Sequence, residues 1–139
     1  MVNDIIVHCA YTKPSMDIGV AEIRQWHLDR GWADIGYQYV IRRDGMIEKG
    51  RDLDKDGNVD EETGAHTLGH NVGSIGICLV GGMDEEGKPD CNFTWMQYRT
   101  LKNLIENLQT RYPNTPVHGH RDYANKECPC FDVHTFLNE

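Results

Sequence analysis

Runs and stripes of apolar residues along the chain predict strands that alternate with helices. Short apolar runs at Asp4–Cys9 and Ser74–Val80 are typical of buried strands. Apolar and polar residues alternate over Tyr37–Arg42, and Met46–Gly50 would pair back across an Arg-Asp-Gly turn to form a hairpin. Pro116–His120 is a shorter strand candidate.

Two longer segments carry apolar side chains at helical spacing. Gly19–Arg30 has one apolar stripe and is followed by a glycine, which commonly ends a helix. Thr94, with a glutamine three residues later, forms a capping box, and the apolar stripe that follows runs until Pro113. Phe131–Leu137 is expected to form a short final helix. The alternation predicts an α/β fold, with residues 1–139 as a single domain and a central mixed β-sheet flanked by helices.

Composition and charge limit the classes of function. The 139 residues are 39% hydrophobic and 26% charged, which is typical of a globular chain. The net charge of −8, without a basic stripe, argues against nucleic acid or an anionic membrane as a partner. The amino-terminal residues have neither a basic segment nor a long apolar one, so we expect no signal peptide and synthesis in the cytoplasm. The odd number of cysteines, five, favours thiols or metal ligands over disulfides.

An acidic stretch is similar to the start of a calcium-binding loop. Its oxygen-bearing side chains alternate around Gly57, and they are Asp52, Asp54, Asp56, Asn58 and Asp60. Oxygens at alternate positions can converge on one cation while the glycine makes the sharp turn. The pattern stops short of a complete loop, because Thr63 stands at the twelfth position, where a bidentate glutamate is usual. Two interpretations stay open, a structural calcium site and a solvated acidic loop.

Histidines and a cysteine near the ends of two predicted strands indicate a metal site. His8 lies at the end of a buried strand, where α/β proteins often place functional groups. His118 and His120 share one face of another strand, and Cys128 follows His120 by eight residues. Imidazole and thiolate are usual zinc donors, and a catalytic zinc needs three protein ligands and an open position for water. His8, Cys128 and one of the two later histidines therefore predict a zinc site. The alternative for His8 is a hydrogen-bonded histidine at a strand edge.

The chain also resembles a known family over almost its whole length. The segments that carry the resemblance are Val7-His8-Cys9, Gly36-Tyr37, Arg43-Asp44-Gly45, Gly64-Ala65-His66, Ser74–Gly82 and Lys126–Asp132. They are similar to the zinc-dependent N-acetylmuramoyl-L-alanine amidases of the type 2 class, which includes phage lysis amidases and shares its fold with peptidoglycan recognition proteins. The resemblance implies one zinc ion per chain and hydrolysis of the amide bond between N-acetylmuramic acid and L-alanine in peptidoglycan.

The resemblance also implies roles for particular residues. In that class the first strand's histidine, a late histidine and a late cysteine bind zinc, which implies His8, His120 and Cys128 here. The family's late histidine precedes its cysteine by eight positions, which selects the second of the two candidate histidines. Tyr37 and Lys126 match the positions that assist catalysis. A complete set of these residues favours an active enzyme over a recognition-only relative.

We therefore expect a peptidoglycan-degrading endolysin of a phage or prophage that reaches the cell wall after release from the cytoplasm. His66 and Asn71 are candidates for binding the glycan or the stem peptide. A cytosolic amidase that recycles muropeptides and a non-catalytic peptidoglycan- or protein-binding module are the alternatives. A monomer is expected. Binding to phage RNA polymerase is not expected, because only seven residues precede His8, where some relatives carry a longer tail.

Overall fold

The computed structural model describes residues 1–138, and a five-stranded sheet forms its centre. The strands are β1 (Asp4–Cys9), β2 (Tyr39–Ile41), β3 (Ile47–Lys49), β4 (Ser74–Leu79) and β5 (Val117–Gly119). Their order across the sheet is β3-β2-β4-β1-β5. Strands β2, β4, β1 and β5 run parallel, and β3 pairs with β2 in the antiparallel direction. The predicted α/β fold with a mixed central sheet is confirmed.

Three α-helices accompany the sheet within residues 1–138. They are α1 (Val20–Asp29), α2 (Trp95–Arg111) and α3 (Val133–Leu137). The predicted capping box at the start of α2 is present, since Thr94 Oγ1 accepts from the Gln97 N–H at 3.1 Å and Gln97 Oε1 accepts from the Thr94 N–H at 3.0 Å. None of the helices in this described range is long and apolar enough to cross a lipid bilayer.

Several predicted strands are shorter in the structure than in the sequence pattern. The two hairpin strands, β2 and β3, have three residues each in the structure, and they pair as predicted. The strand predicted at Pro116–His120 ends at Gly119, because His120 begins a 3-10 turn that runs to Asp122. This turn places His120 beyond the sheet edge instead of in the ladder.

Alternation along the strands gives the sheet two different faces. Ile5, Val7, Ile75 and Ile77 pack in the larger core, which also contains the apolar stripe of α2. Val40 and Cys78 point to the opposite face, where they pack in a smaller cluster with Ile23 of α1.

The topology brings distant parts of the chain to one end of β1. Strand β1 lies between β4 and β5 and is parallel to both. His8 stands near the carboxyl end of β1, directly opposite Cys78, and His120 follows the carboxyl end of β5. In open parallel sheets this edge is where ligands commonly bind.

Candidate metal centre and cleft

Three side chains with metal-ligating atoms converge at the carboxyl ends of β1 and β5. Nδ1 of His8 lies 3.1 Å from Nδ1 of His120, although 112 residues separate them in the sequence. One ligand atom from each of His8, His120 and Cys128 lies within 4.8 Å of the other two. The Cys128 thiol is held in place because its Sγ accepts from the Cys9 N–H at 3.1 Å. All three side chains are buried.

The protonation of the two imidazoles follows from their burial. Desolvation lowers the pKa of His8 well below its ordinary value, and the nearby positive forms of His66 and His120 lower it further. Desolvation, followed by the charge of Lys126, also lowers the pKa of His120. Both rings are therefore neutral at neutral pH, which is the form of imidazole that binds metals. Two neutral imidazoles and one cysteine sulfur, which binds metal as the thiolate, fit the donor preferences of Zn²⁺.

Tyr37 lies next to this group, with its ring centroid 5.1 Å from that of His8. The pKa of Tyr37 is raised well above its ordinary value, first by desolvation and then by the thiols of Cys78, Cys128 and Cys9. The phenol therefore stays protonated at physiological pH and can donate a hydrogen bond to a group in the cleft.

A cleft in two parts lies beside the converging side chains, and two of them, His120 and Cys128, line it. One part is a cavity of about 440 Å³, whose lining includes Tyr37, His120, Cys128, Met16 and Trp26. The other is a cavity of about 600 Å³, whose lining includes Trp32, His66, Leu68, Asn71 and Tyr123. Arg30, His120 and Lys126 line both cavities. The two parts therefore meet at His120, one of the three candidate metal ligands.

The charge of the cleft differs from that of the whole chain. Arg30 and Lys126 bring two cations to it, and no aspartate or glutamate is among the described residues that line either cavity. The chain as a whole carries 22 acidic residues and a net charge of −8. This separation favours a ligand that carries negative charge.

His66 and Asn71 both reach the cleft, but their side chains also hold the surrounding structure. His66 Nδ1 lies 2.9 Å from His8 Nε2, and desolvation lowers the pKa of His66 to about 3. Asn71 Oδ1 accepts from the N–H groups of His66 and Thr67, each at 2.9 Å. The amide oxygen of Asn71 is thus engaged within its own loop. The sequence pattern did not predict the contact between His66 and His8.

The acidic loop brings together a group that only partly matches the predicted one. One carboxylate oxygen each from Asp52, Asp54 and Glu62 lie within 4.8 Å of one another, and Glu62 was not among the predicted ligands. Asp60 was predicted there but lies apart, because a 3-10 turn over Val59–Glu61 directs it into the protein. Its buried carboxylate instead contacts three side chains, Tyr39, Arg111 and Tyr112.

The remaining two side chains of the predicted calcium loop make hydrogen bonds to backbone. Asp56 Oδ1 accepts from the Asn58 N–H at 2.9 Å, and Asn58 Oδ1 accepts from the Asp60 N–H at 3.2 Å. Crowding of carboxylates is evident at Asp54, whose pKa is raised to about 6 by desolvation and by the neighbouring Asp52. Calcium binding by this loop stays a prediction.

Comparison with known sequences identifies the family. The sequence pattern of the N-acetylmuramoyl-L-alanine amidase family matches residues 1–131. The chain therefore belongs to this family. It is 47% identical over 131 residues to the endolysin of Klebsiella phage KP32, covering 94% of this chain and 82% of that protein. It is 46% identical over 129 residues to the endolysin of Escherichia phage T7, covering 93% of this chain and 81% of that protein.

Solved structures with the same fold include both amidases and recognition proteins. The amidase LysC from Clostridium intestinale superimposes with a TM-score of 0.79 at 29% identity, covering 99% of this chain and 83% of that one. Drosophila PGRP-LB superimposes with a TM-score of 0.74 at 29% identity, covering 92% of this chain and 74% of that one. The sheet and helices described above are thus those of the amidase and peptidoglycan recognition fold.

Proposed function

We propose that this protein is a zinc-dependent endolysin that hydrolyses the amide bond between N-acetylmuramic acid and L-alanine in peptidoglycan. The convergence of His8, His120 and Cys128 beside the cleft carries the proposal. These three residues are the proposed zinc ligands. Membership of the amidase family and the similarity to phage endolysins support the substrate and the reaction.

The chemistry requires a polarised carbonyl, an activated water and a stabilised oxyanion. Zinc, when bound, supplies Lewis-acid polarisation of the scissile carbonyl. The protonated phenol of Tyr37 orients the attacking water and passes a proton toward the leaving amine. The Lys126 ammonium stabilises the negative charge that develops on the carbonyl oxygen. Water attacks the carbonyl carbon, the C–N bond breaks, and the products are the muramoyl carboxylate and a free L-alanyl amino group.

Charged and apolar side chains in the cleft are proposed to bind the substrate. The two cations that line it, Arg30 and Lys126, suit the carboxylates of the stem peptide, and the apolar side chains of Trp32 and Leu68 offer contact surface for the sugars. His66 and Asn71 line the same cavity and are proposed to contact the glycan or peptide. We expect the protein to act as a monomer on the cell wall after its release from the cytoplasm.

Two measurements on the purified protein test this function together. The first is the zinc content per chain, and the second is the release of L-alanine amino termini from peptidoglycan with and without a chelator. We expect one zinc per chain and release that stops on chelation and returns with added zinc. Intact sacculi and soluble muropeptides are compared as substrates, because an endolysin acts on the former and a recycling amidase prefers the latter.

The outcomes separate the alternatives. Zinc without release from either substrate would indicate a binding module and contradict the proposed reaction. Release that a chelator does not affect would contradict the proposed metal dependence. Cleavage of soluble muropeptides but not of intact sacculi would support the amidase reaction, and it would indicate a recycling enzyme instead of an endolysin.

A further inference from the structure

A line of hydrogen-bonding groups leads from His8 through His66 to Ser74, the first residue of β4. His8 Nε2 lies 2.9 Å from His66 Nδ1, and His66 Nε2 lies 3.2 Å from Ser74 Oγ. The line ends at Ser74, whose hydroxyl donates to the backbone carbonyl of Asn71 at 3.1 Å. The exposed fractions of His8, His66 and Ser74 are 1%, 8% and 2%, so these groups depend on one another for hydrogen bonds.

The serine at the end determines the direction of each hydrogen bond in the line. Because the Ser74 O–H donates to Asn71, its oxygen accepts from the Nε2–H of His66. A neutral imidazole has one N–H, so Nδ1 of His66 is an acceptor and Nε2 of His8 is the donor. Nδ1 of His8 then carries a free lone pair, and this is the nitrogen that lies 3.1 Å from Nδ1 of His120.

Thr67 contacts two members of this line, and its hydroxyl is compatible with the same direction of hydrogen bonding. Its Oγ1 lies 3.3 Å from His8 Nε2 and 3.1 Å from His66 Nδ1. A hydroxyl both donates and accepts, so Thr67 accepts from His8 while it donates to His66. The same nitrogen of His8 carries the proton with or without this branch.

Two glycines leave space for the imidazole ring of His66. A Cβ atom at Gly76 would lie 2.6 Å from Cγ and Cδ2 of the ring, and a Cβ at Gly64 would lie 2.6 Å from Cδ2. Gly76 stands in the buried strand β4, where a glycine weakens the strand unless another group approaches closely. The ring of His66 is that group, and the two glycines leave the space that it occupies against the sheet.

We propose that His66 and Ser74 are positioning residues that keep His8 protonated at Nε2 and so present its Nδ1 lone pair to zinc. A hydrogen bond to the second ring nitrogen commonly fixes the tautomer of a metal-binding histidine. The inference rests on the proposed zinc ligation by His8. It gives His66 a task that does not depend on contact with substrate.

Nuclear magnetic resonance of the zinc-loaded protein, labelled with ¹⁵N in its histidines, observes the line directly. We expect a proton on His8 Nε2 that exchanges slowly with solvent. We also expect a scalar coupling across the hydrogen bond between that nitrogen and Nδ1 of His66. A proton on Nδ1 of His8, or a proton on Nδ1 of His66, would overturn the inference. This readout requires neither turnover nor a variant.

Substitutions test whether the line controls metal binding. His66→Phe keeps a ring but removes the acceptor, and we expect zinc affinity to fall by about 10- to 100-fold. His66→Asn retains an oxygen near the position of Nδ1 and should stay within roughly threefold of the original affinity. Ser74→Ala removes the terminal acceptor and should lower the affinity by roughly tenfold. Competition against a chromophoric chelator measures all three.

His70→Phe is the matched control, because His70 is an exposed histidine of the same loop, and it should leave zinc affinity unchanged. Unchanged affinity in His66→Phe would overturn the inference. Equal losses in His66→Phe and His66→Asn would also overturn it, since they would assign His66 a packing role. If His66→Phe does not fold, the zinc affinity of Ser74→Ala and the resonance measurement on the unsubstituted protein still test the inference. A folded unsubstituted protein that binds no zinc would overturn the proposed function, and this inference with it.

Discussion

We expect the two proposed histidine ligands and the half-buried Tyr37 to act in their neutral forms, and the exposed Lys126 to act through its charge. Low pKa values leave His8 and His120 with lone pairs, and a raised pKa leaves Tyr37 with its proton. Lys126 is exposed and lines both parts of the cleft. Metal ligation and charge stabilisation are thus assigned to different residues, and single substitutions can separate them.

Cys128→Ala tests the metal ligands. Removing one of three proposed donors should lower zinc occupancy and abolish turnover, because two imidazoles alone bind zinc far more weakly. Elemental analysis and amino-terminus release measure the two effects. Cys91→Ala is the control, since Cys91 is an exposed free thiol outside the cleft lining, and it should change neither. A Cys128→Ala protein with full zinc and full activity would contradict the assignment.

Lys126→Ala tests charge stabilisation separately from metal binding. We expect kcat to fall by about 10²- to 10³-fold, the size typical for loss of one oxyanion-stabilising group, while one zinc per chain remains. Lys88→Ala removes the same charge from an exposed loop outside the cleft and serves as the control. An unchanged kcat would remove Lys126 from the mechanism.

Among the elements, those with local signals could be predicted from the sequence and those made by tertiary contacts could not. The capping box and stripe of α2 are local, as is the apolar run of β1, and both elements were predicted. The inward turn of Asp60 depends on Arg111, which is 51 residues away. The alternating acidic pattern in the sequence therefore did not predict that Asp60 is buried.

The site shows the same division between local and distant signals. The three residues that the family resemblance selected lie together in the structure. They are His8, His120 and Cys128. The contact of His66 with His8 was missed, because it joins positions 58 residues apart through space. A sequence signal was present at Gly76, a glycine between two isoleucines in a buried strand, where another group can approach closely.

Thr94→Ala tests the cap of α2. The Thr94 hydroxyl accepts from the Gln97 N–H and donates to the Arg43 carbonyl at 2.7 Å, so its loss should lower the free energy of unfolding by about 1 to 2 kcal/mol. Urea unfolding measures the change. Thr110→Ala, on the exposed side of the same helix, should alter stability much less. Equal effects would show that the cap does not stabilise α2.

His27 of α1 should make stability depend on pH. Its Nδ1 accepts from the Gly36 N–H at 2.9 Å, and desolvation, with Arg30 and Arg51, lowers its pKa from 6.5 to about 4. Below pH 6.5 the unfolded chain binds a proton that the folded protein excludes until about pH 4, so stability falls as pH falls through this window.

His27→Asn isolates this contribution. Between pH 7 and pH 5 the unsubstituted protein should lose about 2 kcal/mol more unfolding free energy than His27→Asn, whose amide oxygen can accept the same hydrogen bond without titrating. Urea unfolding at the two pH values measures both proteins. Equal losses of unfolding free energy in the two proteins would show that the pKa of His27 does not differ between the folded and unfolded states.

Across the whole molecule, negative charge lies on the surface while the cleft lining carries cations. The overall charge of −8 argues against polyanions as general partners, and the cations of the cleft suit a carboxylate-bearing peptide. Net charge read from the sequence alone could not predict this separation, because it depends on which side chains the fold turns toward the cleft.

Calcium binding by the acidic loop would stabilise the whole fold. A cation held by Asp52, Asp54 and Glu62 would bind the folded state in preference to the unfolded chain, so millimolar calcium should raise Tm, and the rise should grow with the logarithm of the calcium concentration. Differential scanning calorimetry with added calcium measures the shift. Asp54→Asn should abolish it. A Tm that calcium leaves unchanged would identify the loop as solvated charge.

The position of β1 has a consequence for the order in which the protein folds. This strand pairs with β4, which begins 70 residues later, and with β5, which begins 113 residues later, and it has no strand partner near it in sequence. Sheets built from such distant pairings form slowly, because a long loop must close before any contact compensates for the lost entropy. In a refolding chain the proposed zinc ligands His8 and His120 therefore meet only after β1 and β5 pair, and metal uptake should report this late kinetic step.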